Sequence, residues 1–224
     1  MGYKENFIEF MVRSHVLTFG EFVLKSGRKS PYFINTGLYR TGAQIAKLGE
    51  YYADCFMAQI EGGANALYGP AYKGIPLAVS AAAALYQRHQ VDIPYCFNRK
   101  ETKGHGEGGL IIGYQPQDGD SIVMIDDVTT AGTAMRENLP IIQNTAKARV
   151  TALIISVDRM EKGTGQLSAV QQIKSDFGID VYPIVNVRDI LHHLHGREID
   201  GKVVIDDGTK EKMELYLQEY GAAQ

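Results

Sequence analysis

The sequence predicts an α/β fold, a central and mostly parallel sheet flanked by helices, with a small hairpin subdomain at its N-terminus. Helical and strand-like patterns alternate along the chain, as they do when crossover helices join parallel strands. With 45% apolar and 22% charged residues the composition is that of a globular protein able to bury a substantial core. No internal repeat or low-complexity linker interrupts the pattern. A chain of 224 residues suits one domain with elaborations, at roughly 150 residues per domain.

The elements follow in order. Residues 3–14 have helical periodicity. EFVLKSGRKSPYFIN then reads as two short strands about a Ser26-Gly27-Arg28 turn, so residues 1–40 form a helix-and-hairpin hood. The amphipathic stretch 44–60 feeds the strand-like ANALYGP, and the alanine-rich residues 74–87 follow as a helix. DIPYCFN and GLIIGY bracket a glycine-rich, charged stretch, residues 99–109, expected to be a mobile loop. After the turn-like QPQDGD comes the strand IVMI. VTALIISVD and IDVYPIVNV are later strands on either side of a helix expected over 165–177, and a last amphipathic helix covers 210–220. The core sheet therefore lies within about 60–190, with C-terminal elements over 191–224. Pro140 removes an intrahelical donor and should kink or restart the helix it sits in.

Several function classes are excluded early. A net charge of -3 argues against a protein coated in positive charge for nucleic acid, although local basic loops remain free to bind a small anion. No apolar window approaches the roughly 18–20 residues of a membrane helix, and Lys4 and Glu5 precede any apolar run, so a cytoplasmic protein is expected. Two cysteines, Cys55 and Cys96, are too few for a disulfide scaffold and read as reduced core residues. His192, His193 and His195 cannot all share one helical face, so a surface helix end is expected there rather than a metal site.

The sharpest feature is SIVMIDDVTTAGTAMRE, in which a buried apolar strand ends in Asp126-Asp127 and passes through small residues into a helix. Ligands of open α/β sheets sit at such carboxyl ends. The two carboxylates supply acceptors for vicinal ribose hydroxyls. Thr129, Thr130, Ala131, Gly132 and Thr133 are small enough for their backbone N–H groups to surround a phosphate at a helix N-terminus. Diol acceptors beside phosphate donors describe a ribose 5-phosphate site. Residue by residue, a blander account is available: Asp127 ending a strand, Gly132 making a turn and Thr133 capping the helix.

This segment resembles the phosphoribosyl pyrophosphate (PRPP) motif of type I phosphoribosyltransferases. FVLKSGRKSPYF, YGPAYKGIPLA and NRKETKGHGEGG resemble the orotate phosphoribosyltransferases in particular. The resemblance implies the type I phosphoribosyltransferase fold and transfer of ribose 5-phosphate from PRPP to orotate, giving orotidine 5'-phosphate and diphosphate on the route to UMP. Lys103, His105, Asp126 and Asp127 are its implied catalytic residues. Its PRPP contacts are Lys25, Tyr72, Lys73, Arg99, Lys100, Lys103 and His105, with the run Asp126, Asp127, Val128, Thr129, Thr130, Ala131, Gly132, Thr133 and Ala134. Lys25, Phe33, Ile34, Thr130 and Arg159 are the implied orotate contacts, Ile34 standing where relatives often carry a second aromatic. Mg2+ is implied as cofactor, held mainly through substrate and water rather than by a protein cage. A homodimer is also implied, in which the loop over 99–109 closes on the neighbouring subunit's site, with neither nucleic acid nor membrane as partner.

The chemistry of the residues agrees with these roles. Departure of a pyrophosphate is eased by prearranged cations that bind best as the bond breaks. Gly104, Gly106, Gly108 and Gly109 allow a loop to fold over a ligand and exclude water. Orotate needs a fixed cation for its carboxylate and an apolar wall, which suit Arg159 and Phe33. Two other readings stay open at this point: a regulator that binds PRPP without chemistry, and an enzyme with a purine acceptor. Intact Lys73, Lys103, His105 and Arg159 count against the first, and the Arg159 anchor with the Lys25 hairpin counts against the second.

Overall fold

The computed structural model describes residues 2–24, 26–100, 110–128, 132–163 and 165–223. Helix α1 (Tyr3–Arg13) leads into the antiparallel hairpin β1 (Leu17–Val23) and β2 (Lys29–Ile34), a two-stranded sheet separate from the main one. Helix α2 (Gly42–Gln59) follows. The main sheet takes β3 (Ala66–Gly69), β4 (Tyr95–Asn98), β5 (Ile111–Gly113), β6 (Ser121–Asp126), β7 (Arg149–Asp158) and β8 (Asp180–Asn186) in the spatial order β5-β4-β3-β6-β7-β8. All neighbours are parallel except the edge strand β5, which runs antiparallel to β4. Helices α3 (Gly74–His89), α4 (Thr133–Thr145) and α5 (Ala169–Phe177) connect strands, and α6 (Val187–Leu194) follows β8. A short hairpin of β9 (Glu198–Ile199) and β10 (Lys202–Val203) precedes the last helix, α7 (Asp207–Tyr220).

The strand order fixes where a ligand belongs. From β3 the chain moves outward to β4 and β5, then returns to place β6 on the opposite side of β3. Between the carboxyl ends of β3 and β6 the connections diverge, which is the crevice where open α/β sheets bind ligands.

Strand β6 shows why this sheet is covered on both faces. Val123 and Ile125 enter one apolar layer with residues of α1, α2 and α3, whereas Ile122 and Met124 enter the other with Met135, Leu139 and Ile142 of α4 and Ile173 of α5. Alternation with period two sends successive side chains to opposite layers, so a strand buried twice reads as a continuous apolar run. Cys55 and Cys96 are both fully buried, one in each layer.

Three expectations need correction. The helix expected from residue 165 starts only at Ala169, because Ser168 and Gln171 form a capping box that defines its first turn. Of the kink or restart expected at Pro140, the restart is the part corrected: helix α4 continues through that residue as a single element. Pro140 is exposed, so water can meet the Arg136 carbonyl that its missing N–H leaves without a helical donor. His193 is not a surface residue: only 7% of its side chain is exposed, and its Nε2 lies 3.3 Å from Oε1 of the buried Glu9 on α1. Among the described residues no group of three or more His, Cys, Asp or Glu side chains could hold a metal ion. No helix among them is long and apolar enough to cross a membrane.

Candidate active site

The two helices that begin at the switch point lack side-chain caps, as does α1 at the start of the chain. Helices α2, α5 and α6 are closed by capping boxes, whereas α3 and α4, which begin beside the carboxyl ends of β3 and β6, have no side-chain cap. Their first N–H groups and positive dipole ends face the crevice unsatisfied by side chains, an arrangement suited to an anion. Thr133 does not cap α4. The N-cap is Gly132, buried at φ +67°, where a side chain would be strained and its Cβ would stand 3.2 Å from Ile173. At α3 the backbone is tighter still, since a Cβ on Gly74 would meet the Ile125 carbonyl oxygen at 2.8 Å. Only glycine allows the start of α3 to approach the end of β6 so closely.

Asp126 and Asp127 stand at the end of β6. Asp126 Oδ1 accepts the Asp127 N–H at 2.9 Å, and its carboxyl is raised to about 6, first by burial and then by the adjacent Asp127 carboxylate. Its backbone carbonyl accepts from the Tyr52 hydroxyl at 2.8 Å, tying β6 to α2. Asp127 Oδ2 accepts from the Lys73 ammonium and from the Thr36 hydroxyl, both at 2.7 Å. The Asp127 carbonyl accepts from the hydroxyl and the backbone N–H of Ser156 on β7. Thr36, Tyr52, Lys73, Asp127 and Ser156 line a cavity of about 120 Å³ with Tyr39, Leu48 and Leu77. Lys73 is 68% exposed at its mouth, and the neighbouring Tyr72 ring lies under the Lys100 ammonium at 5.1 Å. Arg99 is held where β4 and β5 part, its N–H donating to the Leu110 carbonyl at 2.8 Å. Val128 and Ala134 are half-buried on either side of the segment between Asp127 and α4.

The second cluster joins the hood to the end of β7. Arg159 stacks over the Tyr32 ring at 4.5 Å and pairs with Glu161 at 2.6 Å, both side chains being largely buried. Phe33 is 37% exposed and stacks on Phe22 at 5.4 Å, so it is not a core aromatic, and Ile34 beside it is half-buried. Lys25, Lys103, His105, Thr129, Thr130 and Ala131 lie outside the described residues. Sequence reasoning missed Thr36, Tyr52, Ser156 and Glu161. Thr36 follows the hairpin by two positions and carried no motif, and the others depend on chain segments meeting across the fold.

No family model matches the chain. The orotate phosphoribosyltransferase of Lachnoclostridium phytofermentans is 49% identical over 98% of this chain and 97% of its own. That of Clostridium acetobutylicum is 47% identical over 98% of each. Among solved structures, the orotate phosphoribosyltransferase of Francisella tularensis superposes with a TM-score of 0.84 at 38% identity, covering 97% of this chain and all of that one.

Proposed function

Because the chain belongs to the orotate phosphoribosyltransferase family, we propose that it is the pyrimidine-biosynthetic enzyme joining orotate to PRPP, with release of diphosphate and formation of orotidine 5'-phosphate. The observation that carries this reading is the pair Asp126-Asp127 ending β6 beside the uncapped N-terminus of α4, with Lys73 2.7 Å from Asp127. The carboxylates accept from the vicinal ribose hydroxyls, the first turn of α4 receives the 5'-phosphate, and Lys73 turns from Asp127 to the diphosphate. Tyr72, Arg99 and Lys100 border the diphosphate side, with Lys103 and His105 supplied by the loop.

The bond from the anomeric carbon to the diphosphate oxygen breaks, and an orotate ring nitrogen bonds to that carbon. Positive charge develops on the ribose in between. No protein nucleophile is needed: holding both reactants in line and stabilising the leaving group supply the rate. Phe33 and Ile34 wall the base, and Arg159 meets its carboxylate. The donor set fits Mg2+ that arrives with the diphosphate and keeps its waters, since Asp126 and Asp127 belong to no group of three or more possible ligands among the described residues. Bound there, the ion would neutralise charge on the departing oxygens.

The loop over 99–109 is assigned to the neighbouring subunit's site in a homodimer, the chain is assigned to one cytoplasmic domain, and neither nucleic acid nor membrane is a partner. The deciding test follows orotate absorbance on mixing protein with orotate, PRPP and Mg2+. Rapid loss, abolished in the Asp126→Asn/Asp127→Asn double variant, is expected. No loss despite tight PRPP binding would point to a regulator or to another acceptor base.

A further inference from the structure

We infer that Glu161 is the positioning residue of the base site, fixing the Arg159 guanidinium so that one edge remains open to the orotate carboxylate; this rests on the assignment of Arg159 above. A guanidinium offers two edges to carboxylates, and its value as a specificity anchor depends on a fixed fork. Here Arg159 Nε donates to Glu161 Oε1 at 2.9 Å, and Nη2 forms an ion pair with the same oxygen at 2.6 Å. Nη2 also reaches Ser30 Oγ at 3.4 Å, and the buried Tyr216 hydroxyl stands close to both the guanidinium and Glu161, while no hydrogen bond through Nη1 meets the usual geometry among the described residues. Glu161 therefore holds the side edge of the fork and leaves the Nη1 end open.

Glu161 is itself held from three directions. The Tyr32 hydroxyl donates to Oε1 at 3.0 Å, and Arg28 Nη1 lies 3.5 Å from Oε2 while donating to the Lys162 carbonyl at 3.0 Å. Its backbone bridges to Gly221, just beyond α7. Tyr32 plays two parts, its ring stacking under the guanidinium and its hydroxyl bonding the carboxylate that orients it. The hood hairpin and the C-terminal segment thus meet on one buried carboxylate whose role is to aim Arg159. Supporting shells of this kind set how tightly a binding group is held in its productive geometry.

The test measures orotate KM, PRPP KM, kcat and the preference for orotate over uracil, which is the same base without the carboxylate. In Glu161→Gln the orotate KM is expected to rise roughly fivefold or more as charge-assisted bonds become neutral ones. The orotate-over-uracil preference should fall in parallel, with PRPP KM within about twofold of the parent. A merely structural role would lower the unfolding temperature and kcat while leaving the preference intact, and that result overturns the inference. So does a fall in orotate KM, which would make Glu161 a competitor for Arg159. If Glu161→Gln does not fold, Tyr32→Phe removes only the orienting hydroxyl, and the same loss of preference is expected. Arg159→Lys separates the two levels. An unchanged orotate KM there removes the base-site assignment itself, whereas a raised one beside an unaffected Glu161→Gln removes the positioning role alone.

Discussion

Burial and the neighbouring Asp127 carboxylate hold the Asp126 carboxyl near 6, so the folded chain takes up this proton more readily than the unfolded one. A group raised in this way contributes stability that is complete below its unfolded value and is lost as pH rises through about 6. At pH 8 the site therefore carries an electrostatic cost, which Asp126→Asn relieves while keeping an oxygen to accept the Asp127 N–H. Denaturant titration should find the Asn variant more stable than the parent at pH 8, by on the order of 1–3 kcal/mol, with the difference shrinking towards pH 4. Activity should move the other way: PRPP KM of the parent rises as pH falls through about 6, because a protonated Asp126 is a poorer acceptor for ribose hydroxyls. A variant no more stable at pH 8 than at pH 4, relative to the parent, would contradict this account. Arg159 gives the complementary lesson. Its position after β7 was visible in the sequence, but its partner Glu161 and the Tyr32 hydroxyl that donates to it meet across 129 residues, beyond any local pattern.

At the next scale, α4 is the element on which phosphate binding depends. Gly132 occupies a left-handed conformation at its N-cap, with α5 packed behind it. Gly132→Ala forces an L-side chain into that conformation at about 1–2 kcal/mol, and displacement of the first turn should raise PRPP KM more than orotate KM. Steady-state kinetics with each substrate varied in turn checks this; equal effects on both would detach the turn from the phosphate. The segment was legible as strand, acidic pair, small-residue turn and helix because each signal is local: apolar burial, a glycine where φ is positive, an amphipathic continuation. The start of α5 was obscured because residues 165–168 continue its composition, and only the Ser168–Gln171 capping box marks the true boundary. The passage of α4 through Pro140 depended on that residue facing solvent, which its tertiary setting decides.

For the whole molecule, strand order was the step that the sequence left open, since alternation of helix and strand does not say which strands pair. The structure places β6 between β3 and β7, and the switch point follows from that order alone. Assembly is tested by mixing subunits. If the loop acts on its neighbour, Lys103→Ala and Asp126→Asn chains are each inactive alone, but mixed dimers regain one intact site. Co-refolding should then restore roughly a quarter of parental activity for random pairing of a two-fold dimer, and no recovery would place the loop over its own site. The two apolar layers on either side of the sheet carry one further consequence. Cys55 sits in the layer formed with α1, α2 and α3, Cys96 in the layer formed with α4 and α5, and burial raises both thiols to about 12. Neither can react with an alkylating reagent until its own layer opens. The chain thus contains a pair of internal clocks, one per layer: matched labelling rates at Cys55 and Cys96 would mean that the sheet sheds both coverings in one event, and a faster Cys96 would mean that the phosphate-binding side breathes by itself.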